Sequence, residues 1–271
     1  MYGKTVLITG ANGGIGKITA IELAKKGARI IVASRNSEKT NSAMEEIRRN
    51  GEADHLEVDL SNLDSVRRLA SSVTSNYDRL DVLINNAGVF PTKLARTDDG
   101  FEAQFGVNHL AHFLLTIQLL DLMKASAPAR IITVTSKLHK NGVIDFESFK
   151  GEKKYSAQLA YGQSKLANVL FAVELAERLK GTAVTSNLLH PGAVRTDIMR
   201  QMPKLIRWLV NLSFISVEEG AKTSIMLASD QEKEGNNGEY YDQCELDTYS
   251  ETASNRELRE RLWNTSLQLI N

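Results

Sequence analysis

The stretch Thr5-Val-Leu-Ile-Thr9-Gly10-Ala11-Asn12-Gly13-Gly14-Ile15-Gly16-Lys17 governs how the rest of the chain is read. Its first five residues are apolar or β-branched, the pattern of a strand buried on both faces. A glycine-rich turn follows, and then apolar residues at helical spacing over residues 15–26. Glycines at a strand-to-helix turn let the backbone approach a phosphate closely, and the helix N-terminus adds N–H groups and a favourable dipole. A Walker loop would need glycine at 11 and Ser or Thr at 18, where Ala11 and Ile18 stand. The common dinucleotide fingerprint would need glycine at Thr19. The spacing that fits is Gly10-x-x-x-Gly14-x-Gly16. Its place between a strand and an amphipathic helix implies a dinucleotide, with Gly10, Asn12, Gly14, Ile15, Gly16 and Lys17 as expected contacts. A glycine turn of purely structural purpose is the competing reading.

The alternation continues along the chain. Short apolar runs at 5–9, 29–33, 55–58, 82–84, 131–135 and 183–189 alternate with helical patterns at 15–26, 37–50, 63–75 and 106–124. This predicts an α/β fold, a Rossmann-type doubly wound parallel sheet made of βαβ units. The four prolines mark no linker, so residues 1–271 read as one domain. Two segments break the rhythm. Residues 138–157 are polar and read as a loop or insertion. Residues 193–215 are amphipathic, either an ordinary surface helix or a mobile cover over an apolar substrate site.

Composition narrows the function. Lys plus Arg and Asp plus Glu both number 33, and this neutrality argues against a nucleic-acid binder that works through bulk charge. The single Cys244 excludes an internal disulfide and any multi-cysteine metal site, and the five histidines lack ligand spacing, so no metal is expected. No apolar run reaches membrane-spanning length and no signal peptide is evident, which predicts a cytoplasmic protein. The second strand ends at Ala33-Ser34-Arg35 with no acid beside it. An acidic residue there would select NAD, whereas an arginine accommodates a 2′-phosphate. Arg35, with Lys17 as a second positive charge, predicts NADP(H) over NAD(H).

Further motifs follow in order: Asp59-Leu60, Asn85-Asn86-Ala87-Gly88, Ser136, Tyr161-Gly-Gln-Ser-Lys165 and Pro191-Gly-Ala-Val194-Arg-Thr196. Together with the glycine turn they resemble the short-chain dehydrogenase/reductase family over nearly the whole chain. Tyr161-Gly-Gln-Ser-Lys-Leu-Ala-Asn-Val-Leu-Phe and Leu189-His-Pro-Gly-Ala-Val-Arg-Thr look most like its retinol-dehydrogenase-like branch. Asn108 in Gly106-Val-Asn-His-Leu-Ala-His fits that branch too. The chain departs from membrane-bound members in starting its first strand almost at once, so neither an anchor nor a retinoid substrate is carried over.

The resemblance implies an oxidoreductase that moves hydride between NADP(H) and a carbonyl or alcohol, with Ser136, Tyr161, Lys165 and Asn108 as the catalytic set. Free tyrosine, with a pKa near 10, is a poor base at neutral pH. Tyr161 and Lys165 are four apart and share a helix face, so the ammonium would favour phenolate. Ser136 would hydrogen-bond the substrate oxygen, and Asn108 would hold a water leading from Lys165 to solvent. Asp59, Leu60, Asn86, Gly88, Val194 and Thr196 would line the cofactor, with Tyr161 and Lys165 also touching it. The apolar helices at 106–124 and 161–179 suggest a homodimer or homotetramer, or simply burial within one chain. The alternative class is a non-catalytic nucleotide sensor, which has no need for the full Ser-Tyr-Lys set.

Overall fold

The computed structural model describes residues 1–194 and 215–271. Among them, β1 (Thr5–Thr9), β2 (Arg29–Ser34), β3 (Ala53–Glu57), β4 (Val82–Asn85), β5 (Ala129–Val134), β6 (Val184–His190), β7 (Tyr240–Asp242) and β8 (Glu245–Asp247) form one sheet. The strand order is β3-β2-β1-β4-β5-β6-β7-β8. Pairing is parallel throughout except between β7 and β8. The first six strands fall within two residues of the expected bounds. The β7–β8 hairpin was not expected, because each strand has three residues. Gln243 and Cys244 join them, both at positive φ (49° and 71°) as a two-residue hairpin turn demands.

The helices lie on both faces. Alternate strand residues serve opposite cores, as the period of two requires. Val6, Ile8, Ile30, Val32, Ile84 and Ile132 face α1 (Gly14–Lys25), α2 (Glu38–Arg48) and α7 (Val217–Ser229). Leu7, Ile31, Leu83, Ile131 and Leu188 face α3 (Leu63–Asn76), α5 (Ala111–Ala125) and α6 (Ala157–Arg178). Strand order reverses where β1 meets β4, and α/β sheets bind ligands at the carboxyl ends of such a crossover.

The helix expected at 106–124 is not uniform. It opens with the short α4 (Ala103–Phe105), passes through a π-turn at Gly106–Leu110, and continues as α5. Such turns displace one backbone carbonyl from the regular ladder and concentrate at functional sites.

The apolar surfaces of α5 and α6, read as either an oligomer contact or burial within one chain, pack in part against the C-terminal helices. After the four-residue α8 (Glu251–Ser254), α9 (Arg256–Leu269) lies across α6. Trp263 meets Phe113 of α5 edge-on at 5.0 Å and stacks near Phe171 of α6 at 6.0 Å. Arg178 lies over the Trp263 ring at 4.4 Å, and Arg259 approaches the buried Glu174.

Candidate active site

β1 runs directly into the glycine turn. Gly10 and Gly14 adopt φ of +70° and +54°, which favours glycine. A Cβ on Gly10 would stand 3.0 Å from that of Ala87, and one on Gly16 would stand 2.6 Å from Asn86 Nδ2. The glycines thus let the end of β4 close against the turn. Asn86 fastens the two, donating from Nδ2 to the Thr9 carbonyl at 2.7 Å and from its backbone N–H to Thr9 Oγ1 at 3.0 Å. Gly13, which precedes α1, has no side chain to cap it, and the first turn of α1 holds no acid. Its free N–H groups and positive end fit an anionic phosphate.

Around the turn, Asn12 donates to Thr40 Oγ1 at 3.2 Å, and Thr40 donates to the Arg35 carbonyl at 2.7 Å. This stitches the turn to the tip of β2. Arg35 is exposed there, and among the described residues its guanidinium has no ion pair. The Lys17 ammonium donates to both carboxylate oxygens of Glu46 on α2, at 2.8 and 3.0 Å. Lys39 was missed, although it follows Arg35 by four residues. A Cβ on Gly13 would stand 2.7 Å from Lys39 Nζ, so this lysine crosses the glycine turn.

Asp59 uses Oδ1 to accept from the Ser61 N–H (2.9 Å) and hydroxyl (2.7 Å), while Leu60 packs on the core. Ile15 and Val194, expected to touch cofactor, pack with Ala221 in a small apolar cluster between α1 and α7. Thr196 lies outside the described residues, as do positions 195–214 of the expected covering segment.

Ser136, Tyr161, Lys165 and Asn108 converge beside this cleft. Ser136 ends the β5 arm and begins the 3-10 turn at Lys137–Asn141, its Oγ accepting from Leu138 N–H at 3.3 Å. That turn packs on α6 only because Gly142 and Gly162 lack side chains; a Cβ on Gly142 would stand 2.4 Å from the Gly162 carbonyl. The Tyr161 ring meets Phe90 edge-on at 5.1 Å, and the Ser136 hydroxyl acts to lower the pKa of its phenol. Lys165 is 3% exposed; its Nζ lies 5.5 Å from the Tyr161 ring centroid and donates to the Val134 carbonyl at 3.2 Å. A Cβ on Gly88 would stand 3.7 Å from that Nζ, which places Gly88 beside the lysine.

The Asn108 side chain is held on two sides. Its Oδ1 accepts from Val89 N–H at 2.8 Å, and its Nδ2 donates to the Val89 carbonyl (3.2 Å) and Ser164 Oγ (3.1 Å). The side chain thus acts as a latch, and the Asn108 backbone carbonyl accepts from His112 Nδ1 at 3.0 Å.

Comparison with known proteins agrees with this geometry. The short chain dehydrogenase family pattern matches residues 4–205. The chain belongs to the short-chain dehydrogenase family. It is 46% identical to human retinol dehydrogenase 14, over 100% of this chain and 87% of that protein. With mouse retinol dehydrogenase 12 the identity is 45%, over 99% and 86%. Among solved structures, a Mycobacterium paratuberculosis protein superposes with a TM-score of 0.82 at 34% identity, covering 99% of this chain and 94% of that one. The Pseudomonas aeruginosa RhlG/NADP active-site complex gives 0.74 at 27%, covering 89% and 95%. This short-chain dehydrogenase is thus an oxidoreductase of the retinol-dehydrogenase-like branch. Among its described residues, no helix is long and apolar enough to cross a membrane.

Burial acts on the two titratable groups of the short-chain dehydrogenase cleft in opposite senses. It pushes the Tyr161 phenol up to about 12 and pulls the Lys165 ammonium down to about 8. Between about pH 8 and 10.5 the unfolded chain therefore holds more protons at Lys165 than the folded one, so folded stability rises with pH there. Denaturant midpoints of the ligand-free protein at pH 7.5 and 9.5 should show this gain, on the order of 1–2 kcal/mol. In Lys165→Met the gain should disappear; a variant that keeps it would remove Lys165 as the source.

Proposed function

We propose that the protein reduces apolar carbonyl compounds, or oxidises the matching alcohols, with NADP(H), using Ser136, Tyr161 and Lys165. The observation that carries this reading is the meeting of these three side chains at the carboxyl ends of the strands, beside an uncapped helix N-terminus and a glycine cradle. The nicotinamide, when bound, supplies or accepts the hydride. The chain must then position the carbonyl and handle one proton. Ser136 donates a hydrogen bond to the substrate oxygen and steadies its developing charge. Tyr161 delivers the proton to that oxygen in reduction and removes it in oxidation. At neutral pH Lys165 is still an ammonium, and its charge near the phenol favours phenolate, which opposes the effect of burial on Tyr161. Gly10, Asn12, Gly14, Gly16, Asn86, Gly88 and Asp59 would hold the adenosine and pyrophosphate side, with Val194 and Thr196 toward the nicotinamide.

Arg35, unpaired among the described residues, and the nearby Lys39 support a 2′-phosphate at the β2 tip, and Lys17 contributes less because of Glu46. Arg35→Asp should raise the KM for NADPH at least about tenfold and lower that for NADH, since it exchanges a charge-assisted phosphate contact for an acceptor of the ribose hydroxyls. Steady-state kinetics with both nucleotides read this directly. Unchanged selectivity would assign the preference elsewhere. The apolar character of the substrate rests on the Ile, Met, Leu and Trp residues of 193–215 and on the likeness to retinol dehydrogenases. Retinaldehyde therefore belongs in a first panel of aldehydes and ketones.

A further inference from the structure

We propose that His112 is a positioning residue of this site, locking the Thr9 hydroxyl and the Asn108 carbonyl into one register. The cofactor rim is thereby held fixed against the Tyr161–Lys165 wall. The inference deepens the proposed reaction and rests on it.

His112 sits on α5 just after the π-turn and is 1% exposed. Its Nε2 lies 2.9 Å from Thr9 Oγ1 and its Nδ1 lies 3.0 Å from the Asn108 carbonyl. The direction of each bond follows by elimination. Thr9 Oγ1 already accepts the backbone N–H groups of Asn86 and Ala87, each at 3.0 Å. A hydroxyl has two lone pairs and one hydrogen, so the remaining role of Thr9 is to donate. Its nearer acceptor is His112 Nε2, since the Ile84 carbonyl is 3.4 Å away. Nε2 therefore accepts, the ring is neutral, and Nδ1 carries the hydrogen that reaches Asn108.

One imidazole thus ties the ends of β1 and β4 to the Asn108 carbonyl within the π-turn. The connection continues through Asn108, whose Oδ1 holds Val89 N–H and whose Nδ2 reaches Ser164, the neighbour of Lys165. Freeing either end of the ring should loosen a different side of the cleft.

Two substitutions separate the ends. Asn at 112 keeps a donor at the Nδ1 position and loses the acceptor for Thr9; Gln keeps an acceptor near Nε2 and loses the donor to Asn108. His112→Asn should raise the NADPH Kd, read by fluorescence, about tenfold with kcat within about threefold of wild type. His112→Gln should do the reverse, lowering kcat about tenfold with Kd nearly kept. Thr9→Val should reproduce the Kd defect, and combining it with His112→Asn should add little, whereas Thr9→Ser should behave as wild type. Equal losses in both parameters for Asn and Gln, or additivity of Thr9→Val with His112→Asn, would overturn the proposal. Imidazole 15N spectra of the ligand-free protein give a readout independent of turnover and should show His112 in the Nδ1–H form at pH 7. An Nε2–H ring sinks the positioning role alone. An Nδ1–H ring in a protein that does not bind NADPH sinks the cofactor reading, and the positioning role with it.

Discussion

Tyr161→Phe is expected to lower kcat/KM for carbonyl reduction by about 10²–10⁴-fold while leaving NADPH affinity within about twofold. The substitution removes one oxygen and keeps the ring that packs against Phe90 at 5.1 Å. The cleft therefore keeps its shape, and the only loss is the phenolic hydroxyl. In the proposed mechanism no other group is placed to protonate the substrate oxygen. Ser136 is a neutral alcohol, and Lys165 is directed to the Val134 carbonyl. Stopped-flow consumption of NADPH, alongside a fluorescence titration of NADPH binding, separates chemistry from binding. Comparable rates for Tyr161→Phe and wild type would remove Tyr161 from the proton step.

Trp263→Ala should cost about 3–5 kcal/mol of stability, the range for deleting a large aromatic from a packed core. Trp263 is 7% exposed and fills the junction between Phe113, Phe171 and the Arg178 guanidinium. The substitution leaves in place the bond from His109 Nε2 of the π-turn to Ser266 Oγ of α9 at 3.0 Å. Urea unfolding followed by circular dichroism measures the effect. A change under about 1 kcal/mol would mean that α9 is not an integral part of the α6 core. Analytical ultracentrifugation of the same variant reports whether uncovering these apolar faces draws two chains together.

The first six strands and the glycine turn were legible because each is a local signal. Residues 5–16 combine β-branched apolar residues with glycines at fixed spacing, and both carry physical meaning without knowledge of neighbours. The three-residue β7 and β8 carry no such period. Helix α9 left a trace in Leu258, Leu262, Leu269 and Trp263, yet its partner faces on α5 and α6 are apolar around most of their circumference, so the sequence pattern names no docking side. The same all-round apolarity hid the π-turn at Gly106–Leu110.

Within the site, the Tyr161–Lys165 spacing translated directly into geometry, because four residues on a helix share a face. Charge pairing did not. Lys17 looked available until α1 and α2 were placed side by side and Glu46 came within 2.8 Å. Lys39 lies on α2, beyond the tip of β2, and only the packing of α2 brings it over the glycine turn. The side-chain partners of Asn108, Val89 and Ser164, are set by the packing of α6 against the π-turn and carry no local sequence signal.

The most direct test of the central claim follows the hydride itself. The protein is incubated with NADPH deuterated at C4, separately on each face, and an apolar aldehyde such as retinaldehyde, and the alcohol is examined by mass spectrometry. The account predicts one deuterium at the carbinol carbon from one face of the nicotinamide only, with none in Tyr161→Phe beyond the uncatalysed background. Alcohol formed without deuterium from either labelled cofactor, or no NADPH-dependent product across a broad panel of aldehydes and ketones, would contradict it.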